Sequence, residues 1–385
     1  MASIQKRPDG SWRARYRDES GREHARHFDR KVDGRRWLDE INASVITGQY
    51  VDPQAGRAKL RDYGESWRTA AAHGPTTRKL VERTLRLYIY PSLGDLPISA
   101  IRPSMVQATV TQLAAQVAPS TLRLAYSYLV AVFKAAVRDR VVATSPCDGV
   151  KLPRSTRLSK VEVPPLAVLD VLAANLPPRF RVVPALVAGT GLRQGELFGL
   201  EVGHLDFLRG RSVEVSQQLV TLSPGPAYLG PPKTAESARV VPLAQLTLYA
   251  VAAHLAQFPT REVEIEDRVD PRNPHPRRAS LLFTTNAGMP VERHRWSAIW
   301  SPAARAAGLP PRTGLHALRH LYASLLIRHG ESVKVVQRRL GHSSAVTTLG
   351  TYAHLWPDAD DRTREAVETA LRSPADSSRT GGASW

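Results

Sequence analysis

Along the first fifty residues, apolar and polar positions alternate and then settle into a helical rhythm. In "SWRARYRD", Trp12, Ala14 and Tyr16 face one way and Arg13, Arg15 and Arg17 the other. This is the pattern of a half-buried strand with a row of guanidiniums on its open face. "DESG" (18–21) supplies a turn, "REHARHFD" reads as a second strand, and "KVDGRRWLDEINASVITGQY" reads as a helix running to Gly48. A few strands followed by a helix make residues 1–56 a small α+β module.

From 57 to 155 the rhythm is helical throughout, so an all-α domain is expected. "LRDYGESWRTAAA" opens it, and "TTRKLVERTLRLYIYPSLG" continues it to a break at Pro91 and Gly94. "RPSMVQATVTQLAAQ" carries Pro103 near a helix start, where a missing N–H costs nothing. In "APSTLRLAYSYLVAVFKAAVRDRVV", Leu122, Tyr126, Leu129, Val132, Phe133 and Val137 recur at helical spacing and form a core stripe. Arg123, Lys134 and Arg138 fall between them. The polar, Pro-rich stretch 145–165 reads as a linker. Residues 156–372 are mixed and mainly α: a helix, short strands from about 204 to 243 forming a small antiparallel sheet, then more helices. Residues 373–385, "SPADSSRTGGASW", read as a disordered tail. There is no internal repeat.

Charge changes the picture. Lys and Arg number 53 against 35 Asp and Glu, for a net charge of +18. Such a field attracts a polyanion and raises its on-rate. It suits nucleic acid, bound through phosphates with counterion release, although composition alone leaves a generically basic chain open. Three arginines in register, Arg13, Arg15 and Arg17, suit a DNA groove, and Arg123 and Lys134 are candidate phosphate contacts. No apolar run approaches the ~20 residues of a membrane span, and the N-terminus is polar and charged, unlike a secretory signal. The one cysteine, Cys147, forms no internal disulfide or cysteine-based zinc site. A cytoplasmic, nucleoid-associated protein fits.

Four separated segments carry candidate chemistry. In "GTGLRQGELFGL" (189–200), Arg193 follows a Gly-rich turn at a helix start, with Glu196 beside it at i,i+3; alone, this reads as a helix-surface ion pair. In "GPPKTAESARVVPL" (230–243), Lys233 lies at the mouth of a hairpin ending in an apolar strand. In "GLHALRHLYASLLI" (314–327), His316 and Arg319 share a helix face opposite Leu315, Leu318, Tyr322, Leu325 and Leu326. His316 and His320 lie at i,i+4, but the residues between them do not make H-E-x-x-H and no acidic third ligand is near, so no metal site is expected. In "RRLGHSSAVTTLGTYAHL" (338–355), Gly341 ends a helix, His342 sits in the turn, and a Ser/Thr cap starts the helix that carries Tyr352.

Together these segments resemble the catalytic domain of the tyrosine recombinases, the phage-type integrases. The family order of Arg, Lys, His-x-x-Arg, His or Trp, then Tyr is matched by Arg193, Lys233, His316 with Arg319, His342 and Tyr352. The resemblance is strong over 162–372. Upstream, 57–155 looks like the core-site-binding domain and 1–56 like the arm-site-binding domain of some members. Ala317 departs from the family, where many members have Asp; a local packing difference with retained activity is expected.

The resemblance implies DNA cleavage and rejoining through a 3′-phosphotyrosine, without metal, ATP or other cofactor. Tyr352 attacks phosphorus, and Arg193 and Arg319 stabilise the charge that builds on the non-bridging oxygens as planar forks. His342 donates a further hydrogen bond, completing an oxyanion hole of side chains. Lys233 protonates the departing 5′-oxygen, and His316 manages the proton as general base. The implied partners are double-stranded attachment sites, a homotetramer on DNA, a host DNA-bending factor and an excision-control protein. The helix in "REAVETALRS" would dock on a neighbouring subunit. Two other readings remain: a type IB topoisomerase-like strand-passing enzyme, and a non-catalytic DNA-binding protein of the same fold. The arm-like module favours integration or excision of a phage or mobile element.

Overall fold

The computed structural model describes residues 3–17, 21–46, 55–153, 162–222, 225–356 and 360–371. The chain divides into two compact units, Met1–Arg157 and Leu158–Trp385.

The first unit opens with strands β1 (Ser3–Lys6), β2 (Trp12–Arg17) and β3 (Glu23–Phe28) in an antiparallel sheet of order β1-β2-β3, followed by helix α1 (Lys31–Ile46). The alternation in β2 plays out as the side-chain period of two requires. Ala14 and Tyr16 are buried with Leu38 of α1, and Ile4, Phe28, Trp37 and Ile41 pack against them. The turn expected at 18–21 falls mostly outside the described residues, as does the stretch just beyond α1.

Next come α2 (Leu60–Ala70), α3 (Pro75–Thr84), α4 (Tyr90–Leu93), α5 (Pro103–Gln116) and α6 (Pro119–Arg138). Leu122, Leu129, Val132 and Phe133 of the predicted α6 stripe are buried, and Tyr126 and Val137 pack at its edge. The Tyr126 hydroxyl donates to the Cys147 carbonyl at 2.7 Å, tying the chain after α6 back onto the helix. The expected break at Pro91 is absent. Leu85–Ile89 widens into a π turn, with the Tyr90 N–H donating to the Leu85 carbonyl, and the helical path passes through Pro91 before turning at Gly94. A proline has no N–H to donate and its ring crowds the preceding turn; a wider turn relieves both.

The second unit starts with α7 (Val168–Asn175), α8 (Val183–Thr190) and α9 (Gln194–Phe198). Helix α8, "VPALVAGT", is apolar on nearly every side and is buried as such a helix must be. Phe180, Phe198, Phe283, Trp296 and Trp300 pack together in the same buried core. Strands β4 (Leu205–Asp206), β5 (Ser212–Val215), β6 (Gln218–Val220), β7 (Tyr228–Gly230) and β8 (Arg239–Pro242) follow, then α10 (Gln245–Gln257), β9 (Arg261–Asp267) and β10 (His275–Leu281). They form two sheets, β4-β5-β8 and β10-β9-β7-β6, antiparallel except for the parallel pair β7 and β9. Helices α11 (Arg293–Ala306), α12 (His316–Arg328), α13 (Val333–Leu340), α14 (Ala345–Tyr352) and α15 (Asp360–Leu371) complete the unit.

Two sequence expectations change. The strands do not end near 243: β9 and β10 pair over seven residues each. Val263 and Ile265 point inward, alternating with Glu262, Glu264 and Glu266, a pattern masked by its charged half. The hairpin is fastened by Arg277, which donates to Asp267 at 2.5 Å and to Glu201 at 2.7 Å. In addition, β7 and β8 lie in different sheets, so the Lys233 segment crosses between sheets and closes no hairpin.

Candidate active site

Helix α8 ends at Gly191, whose φ of +66° is left-handed. A Cβ there would lie 2.5 Å from the Tyr322 ring, so both the backbone conformation and the space call for glycine. The sharp turn that follows places Arg193 at the N-cap of α9. Its guanidinium is three-quarters covered. Nη1 donates to Glu196 at 2.7 Å and to the Ser237 hydroxyl at 3.1 Å, and Nη2 donates to the Gly341 carbonyl at 2.9 Å.

Glu196 is no surface residue, contrary to the ion pair expected on a helix exterior. It is 2% exposed, because Arg239 reaches it from β8 with a second fork, donating at 2.9 and 3.2 Å. Burial pushes the Glu196 carboxyl up, but the hydrogen bonds and charge of Arg239, with the charge of Arg193, outweigh it and hold it below its ordinary value. Arg239 also donates to the Arg339 carbonyl at 2.8 Å. One carboxylate thus aligns two guanidiniums from different segments.

Arg319, on α12, is 1% exposed. It grips the main chain, donating through Nη1 to the Gly191 carbonyl at 2.5 Å and through Nη2 to the Leu340 carbonyl. Its Nε has no hydrogen-bond partner among the described residues. Burial, then the charge of Arg193, push the guanidinium down to about 9, so it stays charged at neutral pH. His316, first residue of α12, stands exposed at the rim. Partial desolvation, then Arg319 and Arg193, hold its imidazole below its ordinary value.

Helix α13 ends at Gly341, again left-handed with φ +62°. His342 follows in the turn, and its Nδ1 lies 2.9 Å from the buried Thr348 hydroxyl. Burial, then the charges of Arg319 and Arg193, push His342 down to about 4. The Ser344 side chain caps α14 by accepting from the Thr347 N–H, as the Ser/Thr cluster predicts. At the far end of α14, Tyr352 is 1% exposed, its ring parallel to that of His342 with centroids 6.4 Å apart. Its hydroxyl lies 2.7 Å from Nδ1 of His320. Burial pushes the phenol up to about 12, against the pull of Arg319.

Arg193, Arg319, His316, His342 and Tyr352 therefore lie in one connected cluster. Lys233 does not join it: it is exposed, on the segment that leads to Ser237. Sequence reasoning misses three members. It casts Glu196 only as a surface partner and gives Arg239 no role. It weighs His320 only as a zinc ligand, although the spacing from His316 is a usable signal. The two histidine rings meet edge to face at 4.6 Å. Among the described residues, no group of three or more His, Cys, Asp or Glu is placed to hold a metal ion.

Elsewhere, Arg13 and Arg15 sit on the open face of the N-terminal sheet, both within 3.6 Å of Glu23. Arg17 is exposed opposite Glu23 in the strand register. Arg123 and Lys134 are exposed on α6, eleven residues and so about three turns apart on one face. No described helix is long and apolar enough to cross a membrane.

A phenol held among two guanidiniums and three imidazoles is a set suited to attack on a phosphodiester. Residues 166–358 match the phage integrase family and residues 60–151 the phage integrase central domain. The chain belongs to the phage integrase family and is a tyrosine-type enzyme that recombines DNA at specific sites. It is 26% identical over 328 residues to the integrase of Mycobacterium phage D29, covering 83% of each chain. Its fold is similar to that of the Tn1549 transposon integrase in complex with transposon right end DNA, at TM-score 0.68 and 22% identity over 82% of this chain and 100% of that one. A lambda integrase tetramer bound to a Holliday junction matches at TM-score 0.55 and 16% identity, over 89% of this chain and 96% of the other. The comparisons give no support to a topoisomerase.

Proposed function

We propose that this recombinase cuts each strand by attack of the Tyr352 hydroxyl on phosphorus, leaving a 3′-phosphotyrosine and a free 5′-hydroxyl. The observation that carries the reading is the placement of that hydroxyl in the same cluster as Arg193 and Arg319. A phenol is a far better leaving group on reversal than an alkoxide, since its unperturbed pKa is ~10. The incoming 5′-hydroxyl therefore rejoins the strand without ATP.

Arg193, whose side chain is partly exposed, and Nε of Arg319, without a partner among the described residues, are the donors we assign to the non-bridging oxygens. His342 adds a third donor through Nε2 while Thr348 engages Nδ1. Lys233, at the end of an exposed segment, protonates the departing 5′-oxygen once that segment closes on DNA. The set needs no metal, because fixed cations supply the charge stabilisation that metal ions supply elsewhere.

Residues 1–56 would form an arm-type DNA-binding module that presents Arg13, Arg15 and Arg17. Residues 57–155 would form a core-site domain using Arg123 and Lys134, 156–372 the catalytic domain, and 373–385 a tail. The lambda integrase tetramer on a Holliday junction supports a working tetramer on two duplexes. Helix α15, which exposes Val367 and Leu371, is a candidate contact between neighbours. A host DNA-bending factor and an excision-control protein remain proposed partners, and association with the nucleoid a proposed location.

Tyr352→Phe tests the reading. The variant should bind and synapse attachment-site DNA yet form no covalent adduct with it. An adduct resistant to denaturing electrophoresis in Tyr352→Phe would overturn the assignment.

A further inference from the structure

We propose that His320 is a catalytic base in strand cutting: its Nδ1 receives the phenolic proton of Tyr352 as Oη attacks phosphorus. The inference rests on the reading of Tyr352 as nucleophile and adds a residue to it. Among the described residues, the Tyr352 hydroxyl has one hydrogen-bond partner, His320 Nδ1 at 2.7 Å, with the two rings edge to face at 5.5 Å. That is within the reach a proton acceptor needs. His316 makes no hydrogen bond to the hydroxyl; it touches His320 instead.

The surroundings of the 2.7 Å contact leave both of its partners uncharged. The charged and titratable groups around it are His316 and Arg319 on α12, His342 before α14, and Arg193 across the cluster. Burial, then His316 and Arg319, push the His320 imidazole down to about 4, so at neutral pH it is uncharged. Burial keeps the phenol protonated at neutral pH. With both groups uncharged, the O–H can donate to Nδ1 in the tautomer that carries the His320 proton on Nε2, and that is the arrangement the proposal uses. Arrival of the phosphodiester brings a negative charge beside the fixed cations Arg193 and Arg319. This raises the proton affinity of His320 at the moment it is needed.

The step balances. The Oη–P bond forms, the P–O5′ bond breaks, the phenolic proton moves to Nδ1, and Lys233 gives a proton to O5′. On rejoining, the incoming 5′-hydroxyl loses its proton to Lys233 and attacks phosphorus. The phenolate leaves and recovers its proton from Nδ1.

The test is single-turnover adduct formation by the full chain at saturating enzyme, on attachment-site duplexes nicked next to the cleavage site. His320→Ala should slow it by about 10²–10⁴-fold, the range for loss of a proton-transfer group. Added imidazole should restore part of the rate. Above neutrality the residual rate should climb about tenfold per pH unit, because phenolate must then form unaided. A 5′-bridging phosphorothiolate, whose sulfur leaves without protonation, should rescue Lys233→Ala but not His320→Ala. His320→Asn keeps a hydrogen bond but cannot take up a proton, so it should be as slow as His320→Ala; it also serves if His320→Ala does not fold. A native rate in His320→Asn, or rescue of His320→Ala by the phosphorothiolate, would overturn the proposal. An adduct in Tyr352→Phe would instead overturn the underlying reading. No adduct in Tyr352→Phe together with an undiminished rate in His320→Asn would overturn this inference alone.

Discussion

Glu196→Gln isolates the electrostatic keystone of the cluster. The native carboxylate is 1% exposed at its side chain and takes hydrogen bonds from Arg193 at 2.7 Å and from Arg239, itself 3% exposed, at 2.9 Å. Gln keeps the shape but removes the charge, and it turns an NH₂ toward one of the guanidiniums. Arg239 is left as a buried cation without its counter-ion, a defect that costs about 3–5 kcal/mol. For a unit of the size of Leu158–Trp385, each kcal/mol lowers Tm by about 2–4 °C, so a fall of roughly 6–20 °C is expected. Thermal unfolding of the full chain followed by circular dichroism measures it. The Glu196 pKa is depressed in the folded state, so its contribution is fully present above the unfolded value of about 4.3 and is lost as pH falls through the lower folded value. The difference between native and variant should therefore be full at neutral pH and shrink in acid. A Tm within ~2 °C of native at neutral pH would refute the keystone role, since even the low end of the expected range exceeds it.

Three further outcomes are expected. Phe133→Ala, which empties a fully buried position in α6, should cost about 3–5 kcal/mol and show as a lower unfolding temperature for the first unit, read by local protease resistance. Arg13→Ala with Arg15→Ala should weaken binding to arm-site DNA and flatten the log–log salt dependence by roughly 0.9 for each phosphate no longer neutralised; an unchanged slope would remove those arginines from the interface. Strand cleavage should persist in excess EDTA, and activity abolished by EDTA and restored by Mg²⁺ would refute cation-only charge stabilisation.

Much of the local structure is legible in the sequence because it depends on near neighbours. The alternation in β2 forecasts the burial of Ala14 and Tyr16, and the stripe in α6 forecasts that of Leu129 and Phe133. Gly341 forecasts the left-handed end of α13. What escapes depends on distant partners. Nothing near Glu196 says that Arg239, forty-three residues on, will bury it. The hairpin β9–β10 is hidden because "REVEIED" is mostly charged, and its fastening comes from Glu201, far upstream. Pro91 looks like a stop because the rule for proline counts the missing hydrogen bond; it does not foresee a π turn that removes the clash. The candidate active site is legible as a set of residue types in order. Its contacts are not: the His320–Tyr352 pair joins two helices, and a sequence shows only that His320 follows His316 by one turn.

Arg319 is moored to carbonyl oxygens at positions 191 and 340, and Arg193 to that at 341. Every residue type carries a carbonyl, so these moorings ask for a backbone trajectory and hardly at all for particular side chains. A site built this way tolerates replacement of much else around it, provided Glu196 and the two left-handed glycine corners hold their course. The guanidiniums would then stay trained on one point in space while much of the side-chain packing around them drifts.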